Sequence, residues 1–131
     1  TLIGTNNKNK TILIVDDDAN TRDIIKRSLI DAGYDPVLAK DGKEGLSKLD
    51  KDPSLIVLDL EMPRMDGFEF LENLIELKEE SDRPNVLVYS GKDLTDVQAE
   101  LLNKNVEGLI KKDEVSINQL PGLVSKILKE N

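Results

Sequence analysis

Carboxylates, a hydroxyl and ammonium groups each stand at the end of a short, mainly aliphatic run of this sequence. Three consecutive aspartates occupy positions 16–18, and a fourth, Asp59, follows a second run. Ser90 ends a third run, and two lysines at positions 111–112 end a fourth. Brought together, these groups offer oxygen ligands for a cation, a nucleophilic oxygen, a hydrogen-bond donor and a positive charge.

Converging carboxylates repel one another, so that without a cation their pKa values rise or the site opens. Mg²⁺ resolves this conflict, because it is bound through one or two carboxylates together with phosphate oxygens and waters. We therefore expect Mg²⁺, with Asp17 and Asp59 as direct ligands and Asp16 acting through a water. The backbone carbonyl of Glu61 would complete the ligand set.

A carboxylate beside a cation, a hydroxyl and an ammonium group is arranged for phosphoryl transfer. One aspartate oxygen would attack phosphorus, while Mg²⁺ and a lysine neutralise charge on the phosphoryl oxygens. The hydroxyl of Ser90 would donate a hydrogen bond to another of these oxygens. The product, an aspartyl phosphate, is a known kind of covalent intermediate.

Aliphatic runs alternate with amphipathic stretches along the chain, which is typical of an α/β domain with a parallel sheet. Proline lacks the donor that a sheet ladder needs, so Pro36 restricts its strand to a sheet edge. The predicted strands are Thr11–Val15, Asp35–Ala39, Leu55–Leu58, Asn85–Tyr89 and Gly108–Ile110, and the predicted helices are Thr21–Ala32, Gly42–Leu49, Asp66–Lys78, one from Thr95 and one from Asn118 to Lys129.

Five strands and five helices fit a doubly wound five-stranded parallel sheet of order 2-1-3-4-5, with helices on both faces. Right-handed crossovers leave few other windings. In such sheets the site lies at the carboxyl ends of the strands, between strands one and three, which is where the aspartates fall. The stripes predicted to face the core include Ile24, Ile25 and Leu29 in the first helix and Val97, Leu101 and Leu102 in the fourth.

The composition restricts both the chemistry and the partners. The 131 residues include no histidine and no cysteine, which excludes Ser–His and Cys–His nucleophile pairs and a self-supplied phosphohistidine. The net charge of −8 opposes contact with a nucleic-acid backbone, and no apolar stretch has membrane-spanning length. We expect a protein partner, no direct nucleic-acid contact, no membrane insertion and a cytoplasmic location. Residues 1–10 are predicted to be a polar tail or linker, and residues 11–131 one domain.

The acidic motif at 15–18 is accompanied by a second motif, Leu-Ile-Val-Leu-Asp-Leu-Glu-Met-Pro-Arg-Met-Asp-Gly, at 55–67. With Ser90 and Lys112, these motifs resemble the receiver domain of two-component response regulators, which belongs to the CheY-like superfamily and has a flavodoxin-like fold. The resemblance runs from about Thr11 to Leu128. Each motif alone is also common in ordinary turns and solvated surfaces, but their joint occurrence at four strand ends favours the receiver.

The resemblance implies a role for each residue. Asp59 accepts the phosphoryl group, Asp16 and Asp17 bind the metal, and Ser90 and Lys112 contact the phosphoryl group. The donor is a phosphohistidine on a histidine kinase or histidine phosphotransfer protein, and the domain switches conformation to signal to an output domain or a downstream protein. As an isolated domain it is expected to catalyse only its own phosphoryl transfer and autodephosphorylation.

Leu109 departs from the family pattern, which often has Tyr or Phe at this position. That ring usually changes rotamer on phosphorylation, so the aromatic part of the switch is missing here. Receivers attached to hybrid sensor histidine kinases also tend to lack the ring, and residues 90–107 resemble theirs. The parent protein is therefore predicted to be a sensor histidine kinase.

Three alternatives have different consequences. The first alternative is a receiver-like binding module that works without phosphorylation, and Leu109 is the only residue that favours it. A haloacid-dehalogenase-like phosphatase would use Asp16 as its nucleophile, but Asn20 stands where threonine is usual. A calcium-binding EF-hand loop beginning at Asp16 is excluded, because Thr21 replaces its glycine and Arg27 its final glutamate.

Overall fold

Five strands alternate with five α-helices over residues 9–129, the part of the chain that the computed structural model describes. No helix within this range is both long enough and apolar enough to cross a membrane. The tail predicted over residues 1–10 falls mostly on residues 1–8, which lie outside the described residues. The strands are β1 (Thr11–Val15), β2 (Asp35–Ala39), β3 (Leu55–Leu58), β4 (Asn85–Ser90) and β5 (Gly108–Lys111), and the helices are α1 (Ala19–Asp31), α2 (Gly42–Ser47), α3 (Gly67–Leu77), α4 (Asp96–Asn103) and α5 (Leu120–Ile127).

The strands form one parallel sheet in the order β2-β1-β3-β4-β5, which confirms the predicted order. Within it, Val15 of β1 is opposite Ala39 of β2 on one side and Leu58 of β3 on the other. The strand that contains Pro36 lies at the edge, as predicted. Because β1 and β3 end in register, the residues that follow them are neighbours.

Both faces of the sheet are covered, because successive side chains of a strand point to opposite faces. Leu13 of β1 packs with Phe70 of α3 on one face, whereas Ile14 packs with Ile25 of α1 and Val124 of α5 on the other. Two covered faces require strands that are nearly continuous aliphatic runs. They also hold the sheet rigidly, so that the carboxyl ends of the strands are fixed in position.

Polar side chains cap the first four α-helices and set where they begin. The side chain of Asp18 accepts from the backbone N–H of Asn20, and α1 therefore begins at Ala19, two residues before the predicted start. Thr95, where the fourth helix was predicted to start, forms a capping box with Gln98 at the start of α4. Each such cap satisfies backbone donors that the first helical turn leaves without a partner.

Three aliphatic side chains predicted to face the core are exposed instead. Their exposed fractions are 49% for Ile24, 76% for Val97 and 55% for Leu101. The error has a physical cause: each of these helices packs through one narrow stripe, which contains Ile25 and Leu29 in α1 and Leu102 in α4. Ile24 and Leu101 each lie next to a buried residue of the stripe, and therefore on the side of their helix, in contact with solvent. Val97 lies five positions before Leu102, which turns it away from the stripe of α4.

Candidate functional site

The carboxyl ends of β1 and β3 bring two buried aspartates to one point of the sheet. Asp16 follows β1 and Asp59 follows β3. The backbone N–H of Asp59 donates to the carbonyl of Val15 over 2.9 Å, so the parallel ladder continues one residue beyond the strands. The sheet itself therefore fixes the two carboxylates beside each other.

Asp16, Asp17 and Asp59 each place a carboxylate oxygen within 4.8 Å of the others. Asp17 is exposed whereas the other two are buried, so the group opens to solvent on the Asp17 side. Three converging carboxylates are a donor set of hard oxygens, which suits a divalent cation such as Mg²⁺. For Glu61, the structure shows a contact of the backbone N–H, which donates to Asp59 Oδ1 over 3.2 Å; metal binding by its carbonyl stays a prediction.

Asp16 is held at three of its atoms. Its Oδ1 accepts from the backbone N–H of Asp18 over 2.9 Å, and its Oδ2 accepts from Lys112 Nζ over 2.9 Å. Its backbone carbonyl accepts from Arg22 Nη1 over 2.7 Å. Both carboxylate oxygens of Asp16 are thus engaged by donors, which supports the expectation that it acts on a metal through a water.

Asp59 receives hydrogen bonds mainly at one of its two oxygens. The Ser90 hydroxyl donates to Oδ1 over 2.8 Å, and the Glu61 N–H donates to the same oxygen. Oδ2 faces Lys112, whose Nζ lies 3.7 Å away. The structure therefore brings Asp16, Asp17, Asp59, Ser90 and Lys112 together, as the sequence predicted.

Lys112 gives the site a permanent positive charge. Burial by itself lowers the pKa of Lys112, but the hydrogen bond to Asp16 and the charges of Asp16 and Asp59 outweigh it, so the pKa is raised. Burial also raises the pKa of Asp16, against the opposing effects of the Asp18 N–H and Lys112. At neutral pH the ammonium is protonated and offsets part of the charge of the carboxylates.

The two adjacent lysines have different surroundings. Lys112 reaches the carboxylates, whereas Lys111 donates to Asp93 on the loop after β4. Lys112 Nζ also lies 5.8 Å from the ring centre of Tyr89, whose hydroxyl donates to the carbonyl of Val115 over 2.9 Å. Successive residues near the end of a strand point in opposite directions, which separates the two lysines.

Gly67 lets the loop after β3 fold back closely under Asp59. A Cβ at this position would lie 2.7 Å from the backbone carbonyl oxygen of Asp59 and 2.7 Å from the Cα of Leu60. The Gly67 N–H donates to the carbonyl of Leu60 over 3.1 Å, and Asp66 caps α3. The Asp-Gly step of the motif is thus explained by a close backbone approach.

Gly67→Ala is expected to lower the free energy of unfolding by about 1–3 kcal/mol, because the added methyl group meets backbone atoms that cannot rotate away. Urea denaturation followed by circular dichroism measures this change. Gly122→Ala is the matched control: nothing lies within 4 Å of its Cβ position, and it lies inside α5. That variant is expected to gain up to about 1 kcal/mol, and an equal loss in both variants would contradict the steric explanation.

Arg22 contacts the site without having been predicted there. It lies in the first turn of α1, where the helix dipole favours acidic rather than basic side chains. A basic residue at such a position indicates a nearby acceptor or negative charge, and here the acceptor is the carbonyl of Asp16. The position of this arginine relative to the helix start was the signal in the sequence that could have revealed the contact.

Comparisons with known proteins agree with this geometry. Residues 12–124 match the family model described as the response regulator receiver domain. The chain is similar to a solved receiver domain protein from Methanospirillum hungatei, with 28% identity, a TM-score of 0.80 and coverage of 93% of this chain and 95% of that one. It is also similar to the receiver domain of the Francisella response regulator 1452, with 30% identity, a TM-score of 0.79 and coverage of 92% and 98%.

Two of the curated relatives are longer proteins. A probable transcriptional regulator ycf27 of Porphyridium aerugineum is 41% identical over 86 residues, which are 65% of this chain and 35% of the relative. The alkaline phosphatase synthesis transcriptional regulatory protein PhoP of Bacillus subtilis is 41% identical over 71 residues, which are 53% of this chain and 30% of the relative. The chain thus spans about a third of the length of these relatives.

Proposed function

Because the chain belongs to the response regulator receiver domain family, we propose that Asp59 is the residue on which it accepts a phosphoryl group. Receiver domains of this family act in phosphorelay signalling, and that is the function of this domain. The observation that carries the assignment to Asp59 is its buried carboxylate, to which Ser90 donates over 2.8 Å and which Lys112 approaches to 3.7 Å. A carboxylate, a hydroxyl donor and an ammonium group thus meet at the carboxyl end of β3.

In the proposed step, an Asp59 oxygen attacks the phosphorus of a phosphohistidine on a partner protein. The O–P bond forms from a carboxylate lone pair as the P–N bond breaks, and the electron pair of that bond leaves with the imidazole nitrogen. Oδ2 is the better placed nucleophile, because Oδ1 already accepts from Ser90 and Glu61. Lys112 lies on the Oδ2 side, where it would stabilise negative charge on the incoming phosphoryl oxygens.

The metal ligands are part of the same proposal. Receiver domains bind Mg²⁺ at a cluster of acidic residues, and the cluster here is Asp16, Asp17 and Asp59. We assign Asp17 and Asp59 as direct ligands, Asp16 as a ligand through a water, and the carbonyl of Glu61 as a further ligand. Bound Mg²⁺ would neutralise negative charge on the phosphoryl oxygens.

Ser90 connects the acceptor to two loops. Its Oγ accepts from the backbone N–H groups of Leu60 and Lys92, each over 3.3 Å, while its hydroxyl hydrogen is donated to Asp59. A phosphoryl group on Asp59 would offer this hydroxyl a new acceptor, and a displaced Oγ would move the loops after β3 and β4. We propose that the face of α4, β5 and α5 transmits this change.

The proposed partners are a histidine kinase or histidine phosphotransfer protein as donor, and an output domain or downstream protein as target. The two longer curated relatives are named as transcriptional regulators, so an output domain that binds nucleic acid fits the family. The receiver itself, with a net charge of −8, is poorly suited to that contact. A cytoplasmic location and a parent sensor kinase, suggested by Leu109, are proposals for the full protein.

Phosphoryl uptake by the isolated domain is expected to require a divalent cation. Incubation with acetyl phosphate and Mg²⁺ should add one phosphoryl group, visible by intact mass spectrometry, and excess EDTA should abolish the adduct. The physical reason is that without a cation the three carboxylates repel the anionic donor. Peptide mapping should locate the adduct on Asp59.

Other outcomes of this experiment identify the alternatives. A folded chain that binds Mg²⁺ but takes no adduct from acetyl phosphate or phosphoramidate would favour a binding module that works without phosphorylation. An adduct mapped to Asp16, with turnover of free phosphate esters, would favour the haloacid-dehalogenase-like phosphatase. Either result would contradict the assignment of Asp59.

A further inference from the structure

An apolar groove of about 130 Å³ lies between α3 and α4. Leu71 and Leu102 are buried and form its floor, and Phe68, Ile75 and Leu101 form its walls. We refer to this surface as the α3–α4 groove. An apolar cavity of about 150 Å³ can hold a benzene-sized group, so the α3–α4 groove has room for one large apolar side chain.

The walls of the α3–α4 groove are well exposed for aliphatic side chains. Ile75 is 36% exposed and Leu101 is 55% exposed, and Val97, one turn before Leu101 on α4, is 76% exposed. None of them takes part in the phosphoryl site, and none is needed to close the core. Contiguous apolar side chains on a surface commonly mark an interaction site.

Acidic side chains flank the α3–α4 groove along α3. Glu72 lines the groove, and Glu69 and Glu76 precede and follow it by about one helical turn on the same side of α3. There are three acidic residues in α3, two in α4, and no basic residue in either helix. The first basic residue after α4 is Lys104. The flank along α3 is therefore complementary to a positively charged partner.

We propose that the α3–α4 groove binds an amphipathic helix of a partner protein, with one large apolar side chain in the groove and Lys or Arg along the flank that faces α3. Apolar anchors in a groove are the usual way in which a helix is recognised, and pairing with Glu69, Glu72 and Glu76 would fix its orientation. A second copy of this chain is a poor occupant, because a symmetric contact would place two acidic flanks against each other. The proposal does not require phosphorylation of Asp59.

The probe for this surface is a synthetic helical peptide of about 15 residues, with Leu along one face and Lys along one flank. Its control is a scrambled peptide of the same composition, because any basic peptide is attracted to a chain with a net charge of −8. Each peptide is titrated into the ¹⁵N-labelled, unphosphorylated chain. We expect amide shifts to concentrate at Phe68, Ile75 and Leu101 with the patterned peptide, and to be weak and scattered with the scrambled one.

Matched variants separate the apolar and the charged contributions. Leu101→Ser should weaken binding of the patterned peptide about fivefold or more. Ile30→Ser on α1 is the matched control, because Ile30 is 50% exposed and Leu101 is 55% exposed. This control should leave binding of the patterned peptide unchanged. Replacing Glu72 and Glu76 together by Gln should weaken binding of the patterned peptide about three- to tenfold. The double substitution of the exposed Asp31 and Asp35 by Asn removes the same charge elsewhere and should have no such effect.

The proposal is overturned if both peptides shift the same amides equally, or if the shifts centre on the Asp59 site. It is equally overturned if the free chain sediments as a dimer that Leu101→Ser dissociates, since the occupant would then be a second copy. Phosphoryl uptake from acetyl phosphate should be the same in all these variants. That readout distinguishes failure of the groove proposal from failure of the proposed acceptor.

Discussion

Asp59→Asn is expected to reduce the phosphoryl adduct to background at every concentration of acetyl phosphate and Mg²⁺. The substitution replaces an anionic oxygen by a neutral amide, which removes both the proposed nucleophile and one of the three carboxylates that could hold a metal. The Ser90 hydroxyl can still donate to the amide oxygen, so its hydrogen bond to Asp59 Oδ1 has a substitute. Intact mass spectrometry, run beside the unsubstituted chain, measures the loss.

The same variant should remain folded. The charge of Asp59 contributes to raising the pKa of Asp16, so removing that charge relieves repulsion inside a buried cluster, and the urea midpoint should not fall. Asp93→Asn is the matched control, because Asp93 is exposed and paired with Lys111 outside the carboxylate group. Undiminished adduct in the Asp59→Asn chain, mapped to the same peptide, would show that another residue is the acceptor.

Lys112→Met is expected to slow phosphoryl uptake about 100-fold, the usual effect of removing one group that stabilises developing negative charge. It should also tighten Mg²⁺ binding, because the ammonium lies 2.9 Å from Asp16 Oδ2 and 3.7 Å from Asp59 Oδ2 and repels a second cation. Single-turnover mass spectrometry gives the rate, and isothermal titration calorimetry gives the affinity for Mg²⁺. The two quantities are expected to change in opposite directions.

Lys111→Met provides the control for that experiment. It removes the same side chain one residue earlier, where the ammonium donates to Asp93 rather than to the carboxylate group. Its rate and its Mg²⁺ affinity should stay within about twofold of the unsubstituted chain, because an exposed surface ion pair contributes little. A larger loss of rate in Lys111→Met than in Lys112→Met would reverse the assignment of the two lysines.

The sheet could be predicted from the sequence because each strand is a short aliphatic run and Pro36 can only lie at an edge. Exposure could not be predicted in the same way. Periodicity shows which side chains share a face of a helix, but not how wide a stripe the neighbouring elements cover. Leu101 and Leu102 are adjacent and equally apolar, yet one is exposed and the other is buried, because α4 contacts the core mainly through Leu102.

The members of the site were predictable because the carboxyl ends of parallel strands meet at one edge of the sheet. Their individual contacts were not, because spacing along the chain carries no distances. Whether Ser90 donates to Asp59 or to a neighbour, and which oxygen it selects, depends on side-chain torsions. The position of Arg22 in the first turn of a helix hinted at a nearby acceptor, but residue types could not identify that acceptor, because it is the backbone carbonyl of Asp16.

The position of Tyr89 gives the domain a built-in optical reporter. The chain contains no tryptophan and only two tyrosines, so tyrosine emission is not masked by a stronger fluorophore. The ring centre of Tyr89 lies 5.8 Å from Lys112 Nζ. Tyr34, in contrast, packs between α1 and α5, and its hydroxyl donates a hydrogen bond to Ser125. Any event that moves the Lys112 ammonium therefore changes the electric field at one of two fluorophores, and it can be followed without attaching a dye.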